Sequence, residues 1–318
     1  MPESVRPETA SGTSPLRFDG QVALVTGGST GLGRSYVHEL ARRGAVVVSA
    51  SRSEKDRDSG APQPHLDADP AGPGRLEAVE VDVTDEAQVT RLVEDVVARH
   101  GRLDVLVNNA GTAWVAPIQD GSTEQLRAMI DVHLMGTFWT MRAALPHMRA
   151  RGAGRIVNTA SGVALFGRTG SFAYAAAKGA IQSMTRCAAL DNADVDVKVN
   201  AISPIAATPM APSFEEIDPL LDAERMSVKR IAPVVAYLAH PSCTLSGRVL
   251  HAAGGRVASA ETVMARGWGS ETLTAEDVAD HLAEIDDLTS PLVLDGSLDQ
   301  YAHIPRRASD FAPLAGAH

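Results

Sequence analysis

QVALVTGGSTGLGR, residues 21–34, runs an apolar segment into a helical pattern through a turn with glycines at 27, 28, 31 and 33. An apolar run of this length, stopped by glycine, predicts a buried strand, and the residues after Gly33 predict a helix. Glycines let the turn stay tight and let backbone approach a bound group closely. The helix start offers unpaired N–H groups and the positive end of a dipole, a combination suited to phosphate. Alone, such a turn also serves as an ordinary strand-to-helix loop.

Outward from this turn, short apolar runs alternate with helical patterns. After QVALVTG come a helix over Arg34–Arg43 and the run AVVVSAS, then strands at Leu76–Val81, Val105–Asn108, Arg155–Thr159, Lys198–Ile202 and Arg248–His251. Alternation of this kind predicts an α/β fold, a doubly wound parallel sheet of seven strands. Helices are expected over Glu86–His100, Thr123–Arg149 and from Tyr174 to about Leu190. EKDRDSGAPQPHLDADPAGPG, residues 54–74, cannot sustain a helix and reads as a mobile surface loop. Residues 1–15 form a polar tail, 16–258 the main domain, 259–305 a C-terminal helical extension in which Thr274 caps a helix from Ala275, and 306–318 a frayed end.

Composition narrows the classes. The 318 residues are 44% hydrophobic and carry a net charge of -10, which gives no general attraction for nucleic acid or anionic lipid. No apolar run is long enough to span a membrane, and the N-terminus lacks a secretory pattern, so a cytoplasmic protein is expected. Cys187 and Cys243 make neither a disulfide framework nor a metal cluster and read as buried small hydrophobes. No metal is expected.

SFAYAAAKGA places Tyr174 and Lys178 one helical turn apart on one face. A free tyrosine, with a pKa of about 10, is a poor base, and a lysine ammonium beside it favours the phenolate. Ser161 stands thirteen residues before Tyr174 at the end of the fifth strand, the carboxyl edge where open α/β sheets bind ligands. Each residue alone is commonplace. Together, the spacing TGxxxGxG, Asp82 after the third strand, Asn108-Asn109-Ala110-Gly111, Ser161, YxxxK and Asn200–Pro204 resemble the short-chain dehydrogenase/reductases.

The resemblance implies a Rossmann-type fold, a nicotinamide dinucleotide cofactor and hydride transfer at a secondary alcohol or ketone. It makes Ser161, Tyr174 and Lys178 catalytic, with Tyr174 the acid/base and Lys178 also on the nicotinamide ribose. Gly27, Ser29, Thr30, Gly31, Leu32 and Gly33 would hold the pyrophosphate. Asp82, Val83, Asn109, Ala110 and Gly111 would bound the adenosine, and Pro204, Ile205 and Thr208 would contact the cofactor after the sixth strand. Ser51 stands where NAD-preferring relatives carry an aspartate, and Arg52 beside it suits a 2′-phosphate, so NADP(H) is preferred with NAD(H) possible. The other reading of Arg52 is a solvated loop residue.

His133 occupies the place of the family's helix-kinking asparagine. It can serve in the relay through the main chain or simply pack. VHLMGTF, AALPHM, APVVAYLAHPSC and LTAEDVADHL resemble the branch that contains the (3R)-hydroxyacyl-CoA dehydrogenase units of peroxisomal multifunctional enzymes. Pro209 replaces a basic residue common there, and Glu215, Glu216 and Asp218 oppose a CoA phosphate. The substrate therefore stays open among 3-hydroxyacyl, polyketide-like, terpenoid and steroid-like compounds. Trp114, Met210, Phe166 and Met226 either line an apolar pocket or belong to the core. A homodimer or homotetramer is expected across the helices bearing His133 and Tyr174. The alternative is a non-catalytic dinucleotide sensor or assembly partner, which would be expected to lose Ser161, Tyr174 or Lys178.

Overall fold

The apolar runs become the centre of a sheet. The computed structural model describes residues 14–52, 73–208, 218 and 221–305. Strands β1 (Val22–Thr26), β2 (Val46–Ser51), β3 (Arg75–Glu80), β4 (Val105–Asn108), β5 (Ala153–Thr159), β6 (Asp196–Ile205) and β7 (Val249–Ala253) pair in parallel, in the order β3-β2-β1-β4-β5-β6-β7. β1 and β4 read as unbroken apolar runs because helices cover both faces. Ala23 and Val25 face one core with Tyr36 and Leu40 of α1 (Gly31–Arg42) and Leu238 of α7 (Ala232–Ala239). Val22 and Leu24 face the other, with Val93 of α2 (Glu86–His100) and Met148 of α4 (Gly136–Arg151). The strand order reverses between β1 and β4, which opens a crevice at their carboxyl ends.

Three local features depart from the sequence reading. The sheet has an eighth strand, β8 (Arg256–Ala260), joined to β7 through Gly254 and Gly255, both at positive φ; a connection this short allows only an antiparallel hairpin. The helix expected over Thr123–Arg149 is broken. Ser122 starts α3 (Thr123–Met129) with a reciprocal capping box to Gln125, a π-helical turn follows over Ile130–Met135, and α4 then runs to Arg151. Cys243 is buried, but Cys187 is exposed, because the inward face of α6 (Phe172–Asp191) is taken by Ala177, Ile181, Thr185 and Ala188. The loop expected at 54–74, apart from its last residues, and the expected N-terminal and C-terminal tails lie outside the described residues.

Under the crevice, buried polar side chains tie four elements together. Thr140 of α4 donates to Asn108 Oδ1 at 2.7 Å, Asn108 to Asn158 Oδ1 at 2.9 Å, Asn158 to Thr185 Oγ1 at 2.9 Å, and Thr185 to the Ile181 carbonyl at 2.7 Å. Asn158, Thr140 and Thr185 are fully buried, so their polar atoms must find partners within the protein.

The chain divides into two compact units after Ser259. In the second, β9 (Val263–Met264) pairs antiparallel with β10 (Leu292–Val293), so the extension is not purely helical. Thr274 caps α8 (Ala275–Asp280) in a box with Asp277, α9 (Leu282–Ile285) follows, and Trp268 stacks on His281 at 3.8 Å. Among the described residues no helix is long and apolar enough to cross a membrane.

Candidate active site

The turn after β1 is shaped by contacts that exclude side chains. A Cβ on Gly33 would stand 2.1 Å from the Gly27 carbonyl oxygen, and one on Gly27 would stand 2.7 Å from Ala110 Cα. Gly31 differs: its φ is +52°, and the nearest atom to a Cβ there would be Thr208 Cγ2 at 3.9 Å. A side chain on Gly31 would therefore project into open space at the start of α1, where backbone and helix dipole are presented to a ligand.

Asn109 braces this turn. Its Nδ2 donates to the carbonyls of Thr26 and Gly27, each at 3.2 Å, while the Asn109 and Ala110 N–H groups donate to Thr26 Oγ1 at 3.0 and 3.2 Å. Asp82 accepts from the backbone and hydroxyl of Thr84 at 2.9 and 2.8 Å.

One cleft of about 580 Å³ joins the glycine turn to the catalytic residues. Gly27, Thr30, Gly31 and Leu32 line it from the turn, Asn109, Ala110 and Gly111 from the end of β4, and Pro204, Ile205 and Thr208 from the end of β6. Ser161, Tyr174, Lys178, His133 and Trp114 line its other end. Ser29, Gly33, Ser51, Arg52, Asp82 and Val83 are not part of its wall. Phe166 lines the cleft and is 79% exposed, whereas Met226 is a core residue at 3% exposure. Met210, Glu215 and Glu216 lie outside the described residues.

Tyr174 projects from the first turn of α6 toward Ser161, which caps the short helix α5 (Gly162–Phe166) by accepting from Val163 N–H at 3.2 Å. Burial pushes the phenol up; the Ser161 hydroxyl and the Arg168 guanidinium pull it down. The downward pull expected from Lys178 is therefore supplied by other groups. Lys178 is fully enclosed, its Nζ 5.7 Å from the centre of the Tyr174 ring and donating to the Thr159 carbonyl at 2.6 Å. Burial lowers its ammonium from 10.5 to about 7.

His133 sits in the π-turn and packs its ring edge-on against Tyr174 at 5.3 Å. Burial, with the Lys178 charge adding to it, lowers the imidazole to about 3, so the ring is neutral. Its Nε2 lies 2.7 Å from the Thr112 carbonyl oxygen and 3.2 Å from the Thr112 N–H, so either tautomer ties the ring to the Thr112 backbone. Two cleft residues, Arg168 and His251, had no motif to announce them. Arg168 follows Gly167 at the end of α5 and donates to Ser171 Oγ at 2.9 Å; His251 was legible only as an alternating position of β7. Among the described residues no cluster of three metal-ligating side chains occurs.

A helix N-terminus with an open glycine, continuous with a Ser–Tyr–Lys group whose Ser161 and Lys178 are buried, can hold a dinucleotide against a proton donor. The short chain dehydrogenase family model matches residues 21–217. Peroxisomal multifunctional enzyme type 2 of Drosophila melanogaster is 35% identical over 260 residues, covering 81% of this chain and 43% of that enzyme. The chain thus spans less than half of that relative. A 3-oxoacyl-acyl-carrier-protein reductase of Thermotoga maritima is 33% identical, over 76% of this chain and 100% of its own length. The full-length Drosophila enzyme structure superposes with a TM-score of 0.70 at 29% identity, covering 90% of this chain and 49% of that one. A short chain dehydrogenase from Mycobacterium avium also gives 0.70, at 32% identity, covering 85% and 96%. The chain belongs to the short-chain dehydrogenase/reductase family of NAD(P)-dependent oxidoreductases.

Proposed function

We propose that the chain interconverts a secondary alcohol and a ketone, with Tyr174 as the acid/base. The observation that carries this is that Ser161, Tyr174 and Lys178 line one end of the cleft whose other end is the glycine turn. A nicotinamide bound in the cleft would supply or accept the hydride. Ser161 holds the reacting oxygen, and Tyr174 Oη gives it a proton in reduction or takes one in oxidation. Lys178, at about 7, can hold or release a proton at Nζ near neutral pH while the Thr159 carbonyl fixes its position.

His133 acts as a positioning residue. A neutral ring cannot relay a proton as an imidazolium, but it buttresses Tyr174 and holds Thr112, and the π-turn redirects the backbone at this point. Gly27 to Gly33 receive the pyrophosphate at the N-terminus of α1, and Ser51 and Arg52 favour NADP(H), with NAD(H) also accepted. Asp82, Val83 and the Asn109–Gly111 turn bound the adenosine. Residues 16–258 act as the catalytic domain and 259–305 as its extension.

The relatives named as 3-oxoacyl reductase and multifunctional enzyme favour a 3-hydroxyacyl type of substrate, with polyketide-like, terpenoid and steroid-like compounds as further candidates. Trp114 supplies an apolar wall, and Met210 is assigned to the same pocket. Exposed Phe138 on α4 and Leu190 on α6 support assembly into a homodimer or homotetramer across these helices. A non-catalytic sensor would have no need of Ser161 and Tyr174 together in the cleft.

Replacing Tyr174 by Phe tests the reading. It should leave cofactor binding near the native level, because the glycine turn and Lys178 persist, and reduce turnover about 10²–10⁴-fold. Turnover above a few per cent of native, measured with a panel of ketones, would remove Tyr174 from the chemistry.

A further inference from the structure

β7 brings to the cleft one polar side chain that neither the catalytic group nor the glycine turn employs. Leu250 and Ala252 point into the core shared with α1 and α7, so strand alternation sends His251 to the opposite face, toward α5. There His251 lines the cleft. Its register partner on β6 is Ser203, fully buried, whose Oγ lies 3.2 Å from His251 Nδ1. The imidazole is thus anchored through one nitrogen by a side chain that cannot itself turn to water.

The ring also meets the Ser203 backbone, and its only side-chain hydrogen bond among the described residues is the one at Nδ1, which leaves Nε2 to the cleft. Gly162, the residue after Ser161, leaves the ring accessible: a Cβ there would stand 3.6 Å from His251 Cε1 and 3.8 Å from Ser203 Oγ. A side chain larger than a methyl at 162 would come between the ring and the Ser161 end of the cleft. Burial and the nearby Arg256 hold the imidazole below its ordinary value, so at neutral pH it is a neutral hydrogen-bonding group. If the Ser203 hydroxyl donates to Nδ1, Nε2 presents an N–H; if it accepts, Nε2 presents a lone pair.

We propose that His251 determines specificity by hydrogen-bonding, through Nε2, a second oxygen function of the substrate whose reacting oxygen is held by Ser161 and Tyr174. The inference rests on the ketone/alcohol reading above and narrows it to substrates with two oxygen functions, a hydroxyl or carbonyl in addition to the reacting one. The rest of the wall at this end, Trp114, Val163, Phe166 and Ile205, offers apolar surface. A polar anchor opposite the reacting group would fix which face and which carbonyl is presented, as a few polar groups do in other mostly apolar pockets.

The test compares kcat/KM for ketones bearing a second oxygen (diacetyl, ethyl acetoacetate) with that for monofunctional ketones (cyclopentanone, cyclohexanone), in the native chain and in two variants. His251→Phe keeps a ring of similar shape without nitrogens; His251→Gln keeps a polar end. The preference for doubly oxygenated ketones should fall roughly two- to tenfold in His251→Phe, the range of one neutral hydrogen bond, with the loss in KM more than in kcat. His251→Gln should recover a large part of it. If the Phe variant fails to fold, Ser203→Ala, which frees the ring to turn, should shift the same ratio in the same direction by less. An unchanged ratio in the folded variants overturns the role of His251 and leaves the oxidoreductase reading standing. Absence of turnover on every ketone, native chain included, overturns that reading and this inference with it.

Discussion

Lys178→Met is expected to stabilise the fold at neutral pH while removing activity. Burial lowers the Lys178 ammonium from 10.5 to about 7. The unfolded chain then binds the proton more tightly than the folded one, so protonation favours unfolding. The penalty is complete below pH 7, shrinks as pH rises from about 7 to 10.5, and vanishes above that. At about 1.4 kcal/mol per pH unit the gap amounts to about 5 kcal/mol at its greatest. Against this stands the Nζ–Thr159 hydrogen bond at 2.6 Å, a charge-assisted contact of about 1.5–3 kcal/mol whose loss also leaves the Thr159 carbonyl unpaired. The net gain for the methionine variant at pH 7 is then about 1–3 kcal/mol, or a rise in melting temperature of several degrees for a domain of this size. Urea denaturation of both proteins between about pH 6.5 and pH 10 reads the difference directly. It should be positive at the low end, decline with pH, and reverse sign near the top. A variant less stable than native at pH 7, or a difference flat across the range, would refute the reasoning.

Three further outcomes are expected. Arg168→Ala removes a cation that holds the Tyr174 phenol down, so the ascending limb of the pH–rate profile for alcohol oxidation, where Tyr174 must be deprotonated, should move to higher pH while Arg168→Lys leaves it nearly in place; a profile that does not move in the Ala variant separates Arg168 from Tyr174. Arg52→Ala should weaken NADP(H) use by roughly ten- to a hundredfold and change NAD(H) use little, since hydrogen bonds to a charged group contribute about 1.5–3 kcal/mol; steady-state kinetics with both cofactors decide, and equal loss for both would sink the assignment. Asn158→Ala strands the Asn108 amide in the interior and leaves the Thr185 hydroxyl only its bond to the Ile181 carbonyl, and chemical denaturation should show a loss of about 2–4 kcal/mol; a loss under 1 kcal/mol would mean that the buried chain of hydrogen bonds rearranges.

What the sequence made legible follows from how local each signal is. The run VALVT and the glycines after it act over a few residues, and the strand, turn and helix stand where their periods place them. YxxxK is equally local: two side chains on one helical face meet Ser161 because α6 packs against α5, the short helix that Ser161 caps. The antiparallel β8 escaped because a five-residue strand half open to solvent, RVASA, has little apolar periodicity to show. The break between α3 and α4 escaped for the opposite reason: its apolar spacing continues through the π-turn, and only hydrogen bonding shows the extra residue. Arg168 and His251 reach the cleft from elements distant in sequence, so nothing short-range could mark them.

The same distinction bears on Gly111. In the sequence it belongs to a turn motif and suggests backbone freedom, yet it is not among the glycines at positive φ in the described residues. Its constraint is steric and comes from the long helix: a Cβ at 111 would stand 2.5 Å from His133 Cε1 and 3.0 Å from its Nδ1. Position 133 carries a ring here, and that ring occupies the space a side chain at 111 would need. The ring cannot easily withdraw, because Tyr174 packs against it edge-on and the Thr112 carbonyl holds Nε2. Gly111, His133 and Tyr174 therefore act as one packed unit, in which the glycine admits the imidazole and the imidazole supports the phenol. A substitution at Gly111 would reach the acid/base group through His133 without touching it.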